Sequence, residues 1–217
     1  MERTDRLAAL ASFFACSAAE AQKLNDAMSY TVYHHKDVLI HQGDHGAKVW
    51  IVLDGWAQLQ IIGNDGQSQL LMTHGPGELF GALPNERIFV ADVIARDRVC
   101  VLEISTTKLS RLIDGEAKIG SGLSFVLARQ YNALLDRMAA RVTLTAIGRV
   151  YAELLKEAGS GNIVSPPPVI AALGLMAQTT RETASRAVNN LVRRGIVLRD
   201  AEKLTIVSRS LLEDMIF

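Results

Sequence analysis

Five arginines, at positions 181, 186, 193, 194 and 199, lie between Thr179 and Arg199 against one acid, Glu182, so this short stretch carries a net charge of five minus one, or +4. Across all 217 residues, 23 Lys and Arg balance 23 Asp and Glu, so the positive charge is local. A local basic patch suits a polyanion. The spacing predicts a helix from Arg181 to Arg194, with Ala184, Ala187, Val188 and Leu191 inward and Arg181, Glu182, Ser185, Arg186 and Asn189 outward. Arginine can donate two parallel bonds to guanine O6 and N7, and glutamate can accept from cytosine N4, each good bidentate pair giving ~1–3 kcal/mol of discrimination. A helix in the major groove presents its first turns to base edges. Arg181 and Arg186 are too far apart to share one base, so the expected half-site holds two G·C pairs. Thr179, Thr180 and the first helix amides suit phosphate.

Several elements must hold that helix in place. Ser165-Pro166-Pro167-Pro168 reads as an N-cap with prolines in the first turn, launching a helix from Val169 to Ala177. Thr179 and Thr180 break and re-cap the chain. Gly195 closes the second helix, and Ile196–Leu198 with Leu204–Val207, joined around Asp200–Lys203, forms a hairpin, the wing. Upstream, Thr145 is an N-cap for a helix running to Lys156, ended by the loop Gly159 to Asn162. Leu123, Leu127, Leu134 and Met138 recur at helical intervals, with Val126, Tyr131 and Leu135 broadening the stripe. Such a helix, of roughly 25 residues, carries more apolar surface than one small barrel covers. A second copy packed as a coiled coil across a two-fold axis would cover it, the alternative being an ordinary core helix.

The period is different nearer the start. Ser17-Ala18-Ala19-Glu20 is a capping box that opens a short leading helix to Met28. Short β-branched runs follow at Thr31–His34, Val38–Ile40, Val49–Leu53, Ala57–Ile62, Gln69–Met72, Val90–Ala95 and Val99–Ile104. Turn signals separate them at Gly43-Asp44, Asp54-Gly55, Asn64-Asp65-Gly66 and Gly75-Pro76-Gly77. Strands so spaced imply a sandwich or small antiparallel barrel.

Composition bounds the class. With 49% apolar and 21% charged residues the chain reads as globular. No apolar run approaches the ~20 residues that span a bilayer, and the start lacks a signal-peptide pattern, so the expectation is a cytoplasmic protein with no membrane partner. Cys16 and Cys100 lack metal-ligand spacing and read as small buried apolar residues. His34, His35, His41, His45 and His74 read as satisfied surface histidines, not haem or metal ligands. No nucleophile triad, phosphate loop or paired-carboxylate pattern stands out, so an enzyme is not expected.

The chain resembles the cyclic AMP receptor protein and fumarate–nitrate regulator superfamily of bacterial transcription factors over nearly its whole length. The matching words are Leu39-Ile-His-Gln-Gly-Asp44, Ile51-Val-Leu-Asp-Gly55, Gly77-Glu-Leu-Phe-Gly81, Gly148-Arg149 and Thr180-Arg-Glu-Thr-Ala-Ser-Arg186. The resemblance implies an α+β chain with an N-terminal cyclic-nucleotide-binding-like β-roll, a long dimerisation helix and a C-terminal winged helix-turn-helix. The corresponding divisions are residues 1–108, 109–143 and 144–217. It further implies that Arg181, Glu182 and Arg186 read the bases of a TGTGA-like half-site in double-stranded DNA, beside which Thr179, Thr180 and the outward Ser185 complete the expected DNA-binding set. Leu123, Leu127, Tyr131, Leu134 and Met138 would form a homodimer interface, and RNA polymerase is the expected protein partner.

The departures concern control. Where cyclic-nucleotide members of the family hold the ribose with a glutamate, this chain has Ala82; where they carry Arg-Ser for the cyclic phosphate, it has Phe89 and Val90. Leu134 and Leu135 stand where cyclic AMP binders carry a Thr-Ser pair for the adenine, and the loop Leu83–Ile88 is shortened. A phosphate charge left unpaired in an apolar pocket costs several kcal/mol at least. Cyclic AMP control is therefore disfavoured and no cofactor is expected, with Arg87 as the one displaced phosphate ligand to weigh. The candidate effector pocket of Leu79, Gly81, Ala82, Leu83, Phe89, Val90, Leu134 and Leu135 would be apolar, taking a lipophilic effector or standing collapsed. The alternative is a regulator that responds to a cyclic nucleotide or another small ligand there. A further alternative is a helix-turn-helix that serves protein contacts only.

Overall fold

The computed structural model describes residues 1–63 and 68–216, so the expected turn at Asn64-Asp65-Gly66 lies outside the described residues. The chain forms two compact units, Met1–Ala133 and Leu134–Phe217.

The first unit opens with helices α1 (Arg3–Phe14) and α2 (Ala18–Ala27). Ser17 builds the expected capping box: its hydroxyl accepts from the Glu20 amide while the Glu20 carboxylate accepts from the Ser17 amide. Among the described residues the strands that follow are β1 (Ser29–Tyr33), β2 (Val38–Ile40), β3 (His45–Gly46), β4 (Lys48–Asp54), β5 (Ala57–Ile62), β6 (Ser68–His74), β7 (Leu79–Gly81), β8 (Arg87–Ile88), β9 (Asp92–Ala95) and β10 (Val99–Ser105). They pair antiparallel in two four-stranded sheets, ordered β1-β10-β4-β7 and β2-β9-β5-β6, with β3-β8 as a small ribbon. Glycine permits the turns at Gly43 (φ +91°) and Gly55 (φ +79°); at Gly55 a Cβ would also collide with the Arg98 carbonyl.

Two apolar layers result. Inside the roll, Ile40, Trp50, Val52, Phe80, Ala82, Phe89, Val93 and Val101 pack together. On the other face, Leu10, Phe14 and Leu24 from the leading helices meet Ile51, Leu79, Leu102 and two further helices, α3 (Thr106–Gly115) and α4 (Ala117–Thr143). The alternation of β4 serves both, with Val49, Ile51 and Leu53 facing one layer and Trp50 and Val52 the other.

The second unit holds the end of α4, then α5 (Ala146–Ala158), β11 (Ile163–Val164), α6 (Ile170–Met176), α7 (Arg181–Arg193), β12 (Val197–Arg199), β13 (Leu204–Ile206) and α8 (Arg209–Asp214). Thr145 caps α5 as expected, its hydroxyl accepting from the Gly148 amide at 3.0 Å. The expected cap on α6 is corrected. Val169 stands at that N-cap without a side-chain bond, while the Ser165 hydroxyl donates to the Glu202 carbonyl at 3.1 Å. The reason is β11, which pairs with β13 and makes the wing three-stranded, holding Ser165 at the sheet rather than at the helix.

Candidate nucleic-acid interface and the roll interior

α7 forms because Thr180 caps it, accepting the Thr183 amide at 3.2 Å, and because Ala184, Ala187, Val188 and Leu191 bury one face against α5 and α6. Burying that face leaves Arg181, Glu182, Arg186 and Asn189 exposed on the other, with Thr179 and Ser185 half-buried. Arg186 Nη2 lies 3.4 Å from the Thr183 hydroxyl, and Asn189 Nδ2 lies 3.5 Å from that of Ser185. A groove lined by Arg186, Asn189, Val192 and Arg193 continues the same face toward the helix end. Arg193, counted in the sequence only as part of the local basic charge, follows Arg186 by two helical turns and so shares its face.

The charge of Glu182 is secured locally. Its own backbone N–H and the Thr180 hydroxyl, then Arg181 and Arg186, hold its carboxyl below the usual glutamate range. In the wing turn, Asp200 Oδ1 accepts from the amides of Glu202 and Lys203, both at 2.8 Å.

The turn before α7 is held from behind by Arg149. Its Nε donates to the Ala177 carbonyl at 2.8 Å, Nη2 to that of Gln178 at 3.2 Å and Nη1 to that of Leu144 at 3.2 Å. Burial, then the nearby charge of Arg141, lowers its pKa from the ordinary arginine value.

In the first unit, α4 is clamped to the strand edge. The Gln130 side-chain amide donates to the Leu79 carbonyl at 2.8 Å and accepts from the Leu79 N–H at 3.2 Å, and Arg129 donates to the Gly77 carbonyl at 3.3 Å. Leu123 is spent in that unit's own core, whereas Leu127 is exposed and Tyr131 is 60% exposed. In the second unit Leu134 is half-buried, Leu135 exposed and Met138 58% exposed.

Within the first unit, the residues expected to line an effector pocket divide between two packed layers and the surface. Leu79 and Leu83 belong to the layer under the helices, Ala82 and Phe89 to the roll interior, and Val90 is 62% exposed. The Phe89 ring packs so close over Gly46 that any Cβ there would overlap it. Arg87 is exposed on β8, beside Gly46 of β3. Leu134 and Leu135 fall in the second unit.

The histidines need one correction. His34, His35, His41 and His45 are exposed, but His74 is 5% exposed, stacked on Phe80 at 4.9 Å, which in turn stacks on Trp50 at 5.6 Å. Among the described residues its Nδ1 finds no hydrogen-bond partner, and it lies 3.6 Å from Glu78 Oε2. His74 ends β6, where the strand turns inward at Gly75, a placement that only the sheet pairing defines.

The family model for the cyclic nucleotide-binding domain matches residues 30–116. A cyclic AMP receptor protein from Thermus thermophilus is 26% identical over 204 residues, covering 90% of this chain and 93% of that one. The structure of FixK2 from Bradyrhizobium japonicum superposes with a TM-score of 0.66 at 20% identity, over 87% of this chain and 96% of that chain. A CooA mutant from Carboxydothermus hydrogenoformans gives 0.69 at 17% identity, over 93% and 91%.

Proposed function

We propose, from the premise that this chain belongs to the cyclic AMP receptor protein and fumarate–nitrate regulator superfamily, that it is a dimeric transcription regulator reading a palindromic TGTGA-like operator without cyclic AMP. The observation that carries the proposal is the exposed, capped start of α7, with Arg181, Glu182 and Arg186 on one solvent-facing side of the helix. Such a face fits a major groove, the arginines taking guanines and Glu182 a cytosine. Thr179, Thr180 and Ser185 flank it as phosphate and base-edge partners, and Asn189 and Arg193 extend it. The exposed apolar side chains of α4, Leu127, Tyr131, Leu135 and Met138, support a homodimer. A two-fold pair would place two such helices ~34 Å apart, one turn of DNA. RNA polymerase is the partner through which such a regulator would act.

Independence from cyclic AMP is supported by the apolar lining of the roll interior. Phe89 stands where relatives present an arginine, its ring buried among Phe80, Trp50 and Val93, and buried Ala82 offers no hydroxyl acceptor. A second reading, control by a cyclic nucleotide or another small ligand in the roll, is favoured by the domain match at residues 30–116. Calorimetry separates the two: saturable heat with cyclic AMP or cyclic GMP supports the second reading, and none at millimolar nucleotide removes it.

The DNA reading is tested by gel shift on a TGTGA palindrome and a scrambled duplex. It predicts a salt-sensitive preference for the palindrome that Arg181→Ala and Arg186→Ala abolish. Equal binding of both duplexes by the unaltered protein contradicts it.

A further inference from the structure

A helix leaves its last carbonyls without intrahelical donors, and a turn between two helices must supply partners or bend to reach them. After α6 the chain turns sharply, with Gln178 in the left-handed region at φ +49°. Two backbone bonds fold the turn back on α6, from the Gln178 amide to the Leu175 carbonyl and from the Thr179 amide to that of Gly174. The carbonyls of Ala177 and Gln178 receive their donors from α5 instead, through Arg149. The third acceptor of the same guanidinium is Leu144, the residue at which α4 has just ended. One planar group thus ties the end of α4, the body of α5 and the turn that precedes α7.

We infer that Arg149 is a positioning residue for DNA recognition: it latches the turn of the helix-turn-helix to the end of α4 and so fixes the direction in which Arg181, Glu182 and Arg186 project. The consequence at DNA rests on the function proposed above; the latch itself does not. Thr180, the cap of α7, comes two residues after the latched Gln178 carbonyl, so a turn free to shift moves the first turn of α7 first. The charge of the group also opposes the negative end of α6. Arginine is required because three carbonyls from two separate segments must be met at fixed angles, which a rigid fork of donors can do and a single ammonium cannot.

The test uses the full-length protein carrying Arg149→Lys and Arg149→Met, compared at a temperature where circular dichroism shows both fully folded. Amide hydrogen exchange of the free protein should be faster at Gln178, Thr179 and the first turn of α7 in both variants, and unchanged at Ala187 to Leu191. Operator affinity should fall about tenfold or more, the order of one lost base contact, while affinity for scrambled DNA falls by a smaller factor because the phosphate contacts outside the loosened turn survive. A purely stabilising role would lower the melting temperature and leave the ratio of the two affinities unchanged. Wild-type exchange and ratio in Arg149→Lys would overturn the inference, showing that charge alone suffices; so would an unchanged ratio in both variants. Were the unaltered protein to lack operator preference, the DNA reading would fail, and exchange at the turn would still decide the latch. If Arg149→Met does not fold, Arg149→Lys carries both measurements.

Discussion

The ring of Phe89 lies directly over Gly46, close enough that the missing Cβ of the glycine is what makes room for it. The β3-β8 ribbon brings the two together, pairing His45 with Ile88 and Gly46 with Arg87, so Phe89 turns inward just beyond the last pair. A phenyl ring thus occupies this part of the roll interior.

Two substitutions read this packing. Gly46→Ala overfills the site and should cost about 1–3 kcal/mol, as inserted core carbons do. Phe89→Ala empties it and should cost about 3–5 kcal/mol. Denaturant unfolding measures both, and a neutral result for each would mean that the ring is not seated as described.

The apolar side chains left exposed along α4 set an oligomeric prediction. Met138→Glu and Tyr131→Glu place charges on side chains that are 58% and 60% exposed in the single chain, so neither should unfold it. Both should shift sedimentation from dimer to monomer and weaken operator binding together. Retention of the dimer in both variants would assign the two-fold contact to another surface.

Glu182 sets a pH prediction at the reading head. Its carboxyl is held below the usual glutamate range, so it stays ionised to lower pH than an ordinary glutamate, and any stability it lends is present above the ordinary value and lost as pH falls through the lowered one. Preference for cytosine at its position should therefore be flat between about pH 5.5 and 8. Glu182→Gln should lower that preference equally at every pH; a preference that titrates in this window would contradict the assignment.

Glu153 works in the opposite sense. Burial raises its pKa, against the pull of Lys156 and Arg137. The folded state therefore holds the proton longer than the unfolded chain does, and stability falls as pH rises from the ordinary glutamate value toward the raised one. Glu153→Gln should melt higher than the unaltered protein at neutral pH and equally below about pH 4, as scanning calorimetry across pH would show.

Local chemistry made much of this structure legible. The capping hydroxyls of Ser17, Thr145 and Thr180 sit where their neighbours announce them, because a cap is settled within four residues. The inward face of α7 follows from its period. Ser165 misled because its partner, Glu202, lies 37 residues away and is delivered by the pairing of β11 with β13. The strands β3, β7 and β8 are only two or three residues long, too short to show a period. Leu123 fits the dimer stripe by spacing but is claimed by its own unit's core, since the leading helices pack over that end of α4. Arg149 stood out only as half of the matching word Gly148-Arg149: its acceptors are backbone carbonyls up to 29 residues away, which leave no side-chain signature.

Selection of bound duplexes from a random library by the purified, full-length protein, with no ligand added, tests the central claim most directly. Enrichment of a two-fold palindrome with TGTGA-like arms is expected, each arm holding two G·C pairs under Arg181 and Arg186, with the same enrichment when cyclic AMP is present. No enriched sequence without ligand, or one that appears only with cyclic AMP, would contradict it.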